Sequence, residues 1–157
     1  MENILNVIVA ASNYRIIYPM RTVYRRGDLV TLVILGNLGF ASTMSHLVES
    51  HKHGMSGFGI SKSVSERWNW YDMISCYLAG IRLVYLVFNR YSMMNILTDH
   101  RVLLIRLLFS WSFLRISEYD KYNKSLRPIY VAAHTIWHIT IYDIIYDIYR
   151  MVACYDI

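Results

Sequence analysis

Two stretches of this 157-residue chain carry metal-binding side chains at helical spacing. Ser42 and His46 lie four residues apart in Ser42-Thr43-Met44-Ser45-His46, and His134 and His138 lie four apart in His134-Thr135-Ile136-Trp137-His138. An i, i+4 spacing puts both members of a pair on one helix face, one turn apart. If the two helices are neighbours, His46, His134 and His138 can converge. Neutral imidazole is a good zinc ligand. Three protein ligands leave the fourth tetrahedral position open for water, as in a catalytic rather than a structural site. The plainer reading is that such pairs arise by chance and hydrogen-bond to neighbouring helices. Their setting argues against it, because ionisable side chains within apolar segments are costly and usually mark function. The same reasoning covers Asp72, which lies inside the third apolar segment.

The elements that must position these residues are strongly apolar. Apolar residues make up 55% of the chain and charged residues 17%, below the quarter or so expected of a soluble domain. The mean hydropathy is +0.29. It is held down by 14 Tyr and scattered Arg, side chains suited to the head-group level of a bilayer. Apolar stretches at 4–20, 29–51, 65–88, 101–117 and 128–153 predict five helices. The expected architecture is all-α, a polytopic transmembrane helix bundle forming one domain over 1–157, located as a multi-pass integral membrane protein. Only 29–45 is free of charge; Arg82, Arg106 and Asp143 interrupt the other segments. Gly54 is expected to stop the second helix, Ser63-x-x-Glu66 to cap the third, and Pro128 to sit in the first turn of the last. The Gly- and Ser-rich 54–63 is the expected loop.

Depth along the helices agrees with a shared site. A second helix ending near His53 places His46 ~10 Å inside it, and a third beginning near Ser65 places Asp72 ~10 Å in from the same side. From Pro128, His134 lies at ~9 Å and His138 at ~15 Å. Alternating crossings bring all of them to one side of the bundle. Loop charges do not fix which side that is.

Ser-x-x-x-His on an early helix, Asp on the next and His-x-x-x-His on the last resemble the CREST superfamily, which includes alkaline ceramidases and adiponectin receptors. The resemblance spans 42–138 and is carried by the motif residues. It implies a seven-helix membrane fold, zinc held by His46, His134 and His138, and Ser42 and Asp72 as accompanying polar residues. The implied activity is hydrolysis of a lipid amide or ester such as ceramide. In that reading zinc lowers the pKa of water, Asp72 orients or deprotonates that water, and Ser42 helps hold the oxyanion. Five helices are two fewer than the family's seven, equivalent to loss of a hairpin between the Asp72 helix and the last one. Parity survives, but part of the acyl-chain wall does not. The pocket beside the zinc is therefore expected to open sideways to lipid, with one flank closed by lipid or by a second subunit. The competing readings are a non-catalytic membrane receptor or scaffold that keeps a structural metal, and a small soluble bundle whose histidines bind haem or nothing.

Other features carry less. The net charge of +5 includes no basic block; Arg21, Arg25 and Arg26 read as juxtamembrane charge attracted to anionic lipid, not as a nucleic-acid interface. Cys76 and Cys154 lack paired spacing and are expected to be reduced. Met1-Glu2-Asn3 lacks the positive region of a secretory signal, so the first apolar run is expected to be retained. His51 and His53 are expected at a solvated helix end in preference to an accessory metal site, and His100 in a solvent-facing loop. Tyr142, Asp143, Tyr146, Asp147 and Tyr149 form Tyr and acidic stripes, with Asp143 and Asp147 expected to pair with Arg82 or Arg106.

Overall fold

The computed structural model describes residues 2–50, 52–59 and 61–153, which are helical with no strand among them. The helices are α1 (Glu2–Ser12), α2 (Ile17–Arg25), α3 (Leu29–Leu47), α4 (Lys62–Phe88), α5 (Met93–Asp99), α6 (Arg101–Ser117) and α7 (Arg127–Ala153). A 3-10 turn at Asn13–Ile16 joins α1 and α2. Pro19 explains that turn: it has no N–H to offer the carbonyl four residues back, so the helical ladder is interrupted there. Helices occupy all five expected places, and the short α5 is an addition. Two of them, Leu29–Leu47 and Lys62–Phe88, are long and apolar enough to cross a membrane.

The ends of α3 set the position of the site. Asp28 caps its start, accepting from Thr31 N at 3.0 Å and Thr31 Oγ1 at 2.6 Å. Its other end comes at Leu47, several residues before the glycine expected to stop it. Asn6 of α1, fully buried, ends the helix by donating from Nδ2 to the carbonyls of His46 at 2.8 Å and Glu49 at 2.9 Å. Phe58 N donates to Leu47 O at 3.1 Å. These bonds satisfy terminal carbonyls that a further helical turn would have used. The chain then folds back over the end of α3. A Cβ at Gly57 would lie 2.2 Å from the Val48 carbonyl oxygen, so only glycine fits there. Gly54 lies within this returning loop at φ +63 instead of capping α3.

The other two expected caps divide. The N-cap of α4 is Ser61, and Ser63 already lies inside the helix, so Ser63 and Glu66 form no capping box. Pro128 does sit in the first turn of α7. Arg127 ties that turn to the loop, donating to the carbonyls of His53 at 3.1 Å and Gly54 at 2.6 Å.

In the packed arrangement α3 lies against α4, α6 against α7, and the α1–α2 rod against α3 and α7. Val23, Leu35, Leu38, Tyr142, Ile145 and Tyr149 form the main core. The outward faces of α4 and α6 are apolar: Ile81 is 67% exposed and Leu108 64%. Of the expected ion pairs, Asp147 bonds Arg106. Asp143 instead bonds Arg15 of the 3-10 turn, because Arg82 is taken by Asp28 at 3.0 Å where α4 passes the start of α3.

Candidate metal centre

α3 and α7 bring the three histidines together. The His46 ring centroid lies 4.6 Å from His134 and 5.0 Å from His138, with 4.8 Å between the latter two. All three are buried, and one ring nitrogen from each lies within 4.8 Å of the others. This cluster could hold a metal ion.

Hydrogen bonding aims their lone pairs. His138 Nδ1 is 2.7 Å from Ser12 Oγ, whose own proton goes to Val9 O at 2.6 Å. Ser12 therefore accepts from Nδ1–H. His134 Nδ1 is 3.0 Å from Ser117 Oγ, and Ser117 donates to Leu114 O at 2.7 Å. The same logic makes Nδ1 of His134 the donor. His46 Nδ1 is 3.2 Å from the Glu49 carboxylate, which can only accept. Nδ1 is thereby the hydrogen-bond donor in all three rings, which leaves Nε2 as the nitrogen that could bind a metal. Partners that fix ring orientation and tautomer in this way are typical of metal-binding histidines. His46 Nε2 is buried with no hydrogen-bond partner. Such an orphaned acceptor costs free energy that a cation would recover. A donor set of three imidazoles fits a divalent transition metal.

Glu49 was not singled out by the sequence, and it is the central charge of the surround. It is 1% exposed and accepts from Tyr130 Oη as well as from His46. Lys52 Nζ lies 3.6 Å from Glu49 and 2.6 Å from Glu118, which links the returning loop to the end of α6. Burial alone would raise the Glu49 carboxyl, but the His46 hydrogen bond and the Lys52 charge outweigh it and hold the group at about 2.

Ser42 and Asp72 stand beside each other next to the histidines. Ser42 Oγ is 3.4 Å from His138 Nε2. Asp72 lines a cavity of about 690 Å³ together with His46 and His134, and Lys52, Lys62, Arg115 and Lys121 also border it. A second, apolar cavity of about 490 Å³ runs between α4 and α6 over α7. Both cavities are bordered by Cys76, Trp111, Leu114 and Trp137, so the two adjoin along these side chains.

The lesser histidines lie elsewhere. His53 is 1% exposed, not solvated, and each of its ring nitrogens lies 3.1 Å from a carbonyl oxygen, of Asn123 and of Ser117. Both ring nitrogens of His53 thus face backbone carbonyl oxygens. His51 and Cys154 lie outside the described residues. His100 is half-buried against the Tyr91 ring at 4.9 Å instead of facing solvent. Cys76 is a free thiol, as expected.

The chain is similar to an uncharacterized protein of Acanthamoeba polyphaga mimivirus, with 36% identity over 142 residues that cover 90% of this chain and 93% of the relative. No family model matches the sequence. No solved structure matches it either.

Proposed function

This chain belongs to one family with the mimivirus protein, and we propose that it is a multi-pass integral membrane hydrolase that uses zinc to cleave an amide or ester bond of a lipid. The observation that carries this reading is the convergence of three buried imidazoles, each held at Nδ1 by a partner and with His46 Nε2 left without one, beside a cavity that also contains a carboxylate. The reading follows the resemblance of Ser42-x-x-x-His46, Asp72 and His134-x-x-x-His138 to the CREST superfamily. The exposed apolar faces of α4 and α6 support a lipid environment, since a soluble monomer rarely leaves so much contiguous apolar surface in water.

His46, His134 and His138 would hold the ion. Zinc bound there supplies a Lewis acid that polarises a carbonyl and lowers the pKa of water. The candidate ligand atoms all lie within 4.8 Å of one another, close enough that one ion could be shared among the three. The residues of the chain do the rest. Asp72, in the same cavity as two of the histidines, accepts the proton of the attacking water and returns it to the leaving group. The Ser42 hydroxyl donates to the oxygen on which negative charge develops. Glu49, Ser12 and Ser117 keep the three rings in register. The slot between α4 and α6 admits an acyl chain from the side while its polar linkage stays near the histidines.

The test is Asp72→Asn in detergent-purified protein, with metal content and lipid amide turnover measured on one sample. Zinc should stay and turnover should fall at least 100-fold, within the usual ~10²–10⁴ contribution of a general base. Turnover unchanged in the variant would refute the role of Asp72, and wild-type protein that holds zinc yet turns over no lipid amide or ester would refute the hydrolase reading.

A further inference from the structure

The polar cavity has a rim whose charge is not used by the chemistry described above. Lys62 at the start of α4, Arg115 at the end of α6 and Lys121 in the α6–α7 connection are exposed, and all three line the cavity that contains His46, His134 and Asp72. None of the three makes an ion pair or side-chain hydrogen bond to an acidic group among the described residues; Arg115 and Lys121 instead lie over the rings of Trp111 and Tyr122. The acidic groups on the same cavity are Glu66, Glu118 and Asp72. Glu118 is neutralised by Lys52 at 2.6 Å, and Asp72 lies inside beside Ser42. That leaves Glu66 as the one acid facing three uncompensated cations. Beside this cavity lies the mostly apolar one, bordered by residues such as Leu83, Val87 and Leu104. From Cys76 to Phe88, which both border the apolar part, α4 rises ~18 Å at 1.5 Å per residue. That matches an extended chain of ~15 bonds at ~1.2 Å per bond.

We infer that the lipid this site takes carries a phosphate-bearing head group, held at the rim by Lys62, Arg115 and Lys121, with its acyl chain in the slot between α4 and α6. The assignment deepens the hydrolase reading and rests on it for the position of the scissile bond. Phosphate is the group that suits this rim. The lysines act as mobile point charges and the arginine can form a two-pronged hydrogen bond to phosphate oxygens. A neutral hydroxyl head group would leave three cations with Glu66 as their one counter-charge. Depth fits as well, since phosphate belongs at the interface, where these residues stand, and the amide or ester linkage belongs one step deeper, at the histidines.

The experiment compares two ligands that differ only in the head group, N-acyl ethanolamine and its phosphate monoester, with the same dibrominated C16 chain in neutral detergent. Binding to the full-length protein is read from quenching of tryptophan fluorescence, since Trp111 and Trp137 border both cavities, and turnover is followed in the same samples. The expected result is at least tenfold tighter binding of the phosphate ester. That ratio should fall to near one in the triple variant Lys62→Gln, Arg115→Gln, Lys121→Gln and should persist in Lys124→Gln, a cation near the same end that does not border the cavity. The three side chains are exposed, so the variant is expected to fold, with helical circular dichroism as the check. Equal binding of the two lipids by the wild type would overturn the inference. So would a preference that survives the triple variant, or one lost equally in Lys124→Gln, which would mark diffuse surface attraction. If the binding preference is present but neither lipid is cleaved, the hydrolase reading fails and the head-group assignment stands.

Discussion

Replacement of Glu49 by glutamine removes one buried negative charge and almost nothing else. In the wild type the carboxylate accepts from His46 Nδ1 at 3.2 Å and from Tyr130 Oη, with Lys52 Nζ at 3.6 Å. The amide oxygen of Gln can replace one of these acceptors, but its NH2 must turn toward a donor. Charge-assisted bonds are about twice as strong as neutral ones, so the His46 contact loses ~1–1.5 kcal/mol. The loss falls on the tautomer that exposes Nε2. At 1.4 kcal/mol per decade zinc should bind about tenfold more weakly, the lower end of the ~10–100-fold effect of orienting partners. Lys52 keeps Glu118 at 2.6 Å, so no orphan charge is created, and the metal-free fold should lose only ~1–2 kcal/mol. The assay is competition for zinc against a chelator of known affinity, alongside thermal unfolding of the metal-free protein. Zinc affinity within twofold of wild type, in a variant that unfolds like wild type, would refute the claim that Glu49 orients His46.

Two further substitutions test the frame around the site. Burial would raise the Asp28 carboxyl, but its bonds from Thr31, Tyr149 and Arg82 outweigh this and hold it at about 2, below its ordinary 3.8. A lowered carboxyl stabilises the fold above its unfolded value and loses that contribution as pH falls through the folded one. Asp28→Asn should therefore cost about 1 kcal/mol near pH 7, solvent screening taking part of the full effect, with the deficit closing between pH 5 and 2 in denaturant titrations at each pH. A constant deficit across that window would contradict the assignment. Gly57→Ala forces a methyl to 2.2 Å from the Val48 carbonyl oxygen and should destabilise by at least ~1–3 kcal/mol while also weakening zinc binding, because the same loop carries Glu49. An unshifted melting temperature would show that the loop does not pack as described.

The three-histidine cluster was legible in the sequence and its supports were not. His46, His134 and His138 stand out because i, i+4 spacing survives errors of several residues in helix ends, and because imidazole is conspicuous in an apolar run. Ser12 and Ser117, which fix two of the rings, carry no such signal. Ser12 meets His138 across 126 positions, and serine in an apolar helix is unremarkable. Glu49 lies three residues past His46, but the helix stops between them, so the contact depends on a loop that periodicity cannot describe. The early end of α3 has the same origin: Asn6, from 40 positions away, takes the His46 carbonyl. Arg82 and Arg106 were the expected partners of Asp143 and Asp147 in either order; Asp147 meets Arg106, whereas Asp143 meets Arg15, because hydropathy does not say which helices are neighbours.

Whether the three histidines hold a metal together is read directly by elemental analysis of detergent-purified protein beside its His134→Ala variant. The account predicts about one zinc per wild-type chain in the three-histidine, open-site arrangement and loss of most of it in the variant. Undiminished zinc in His134→Ala, or wild-type protein that takes up no metal on reconstitution, would contradict it.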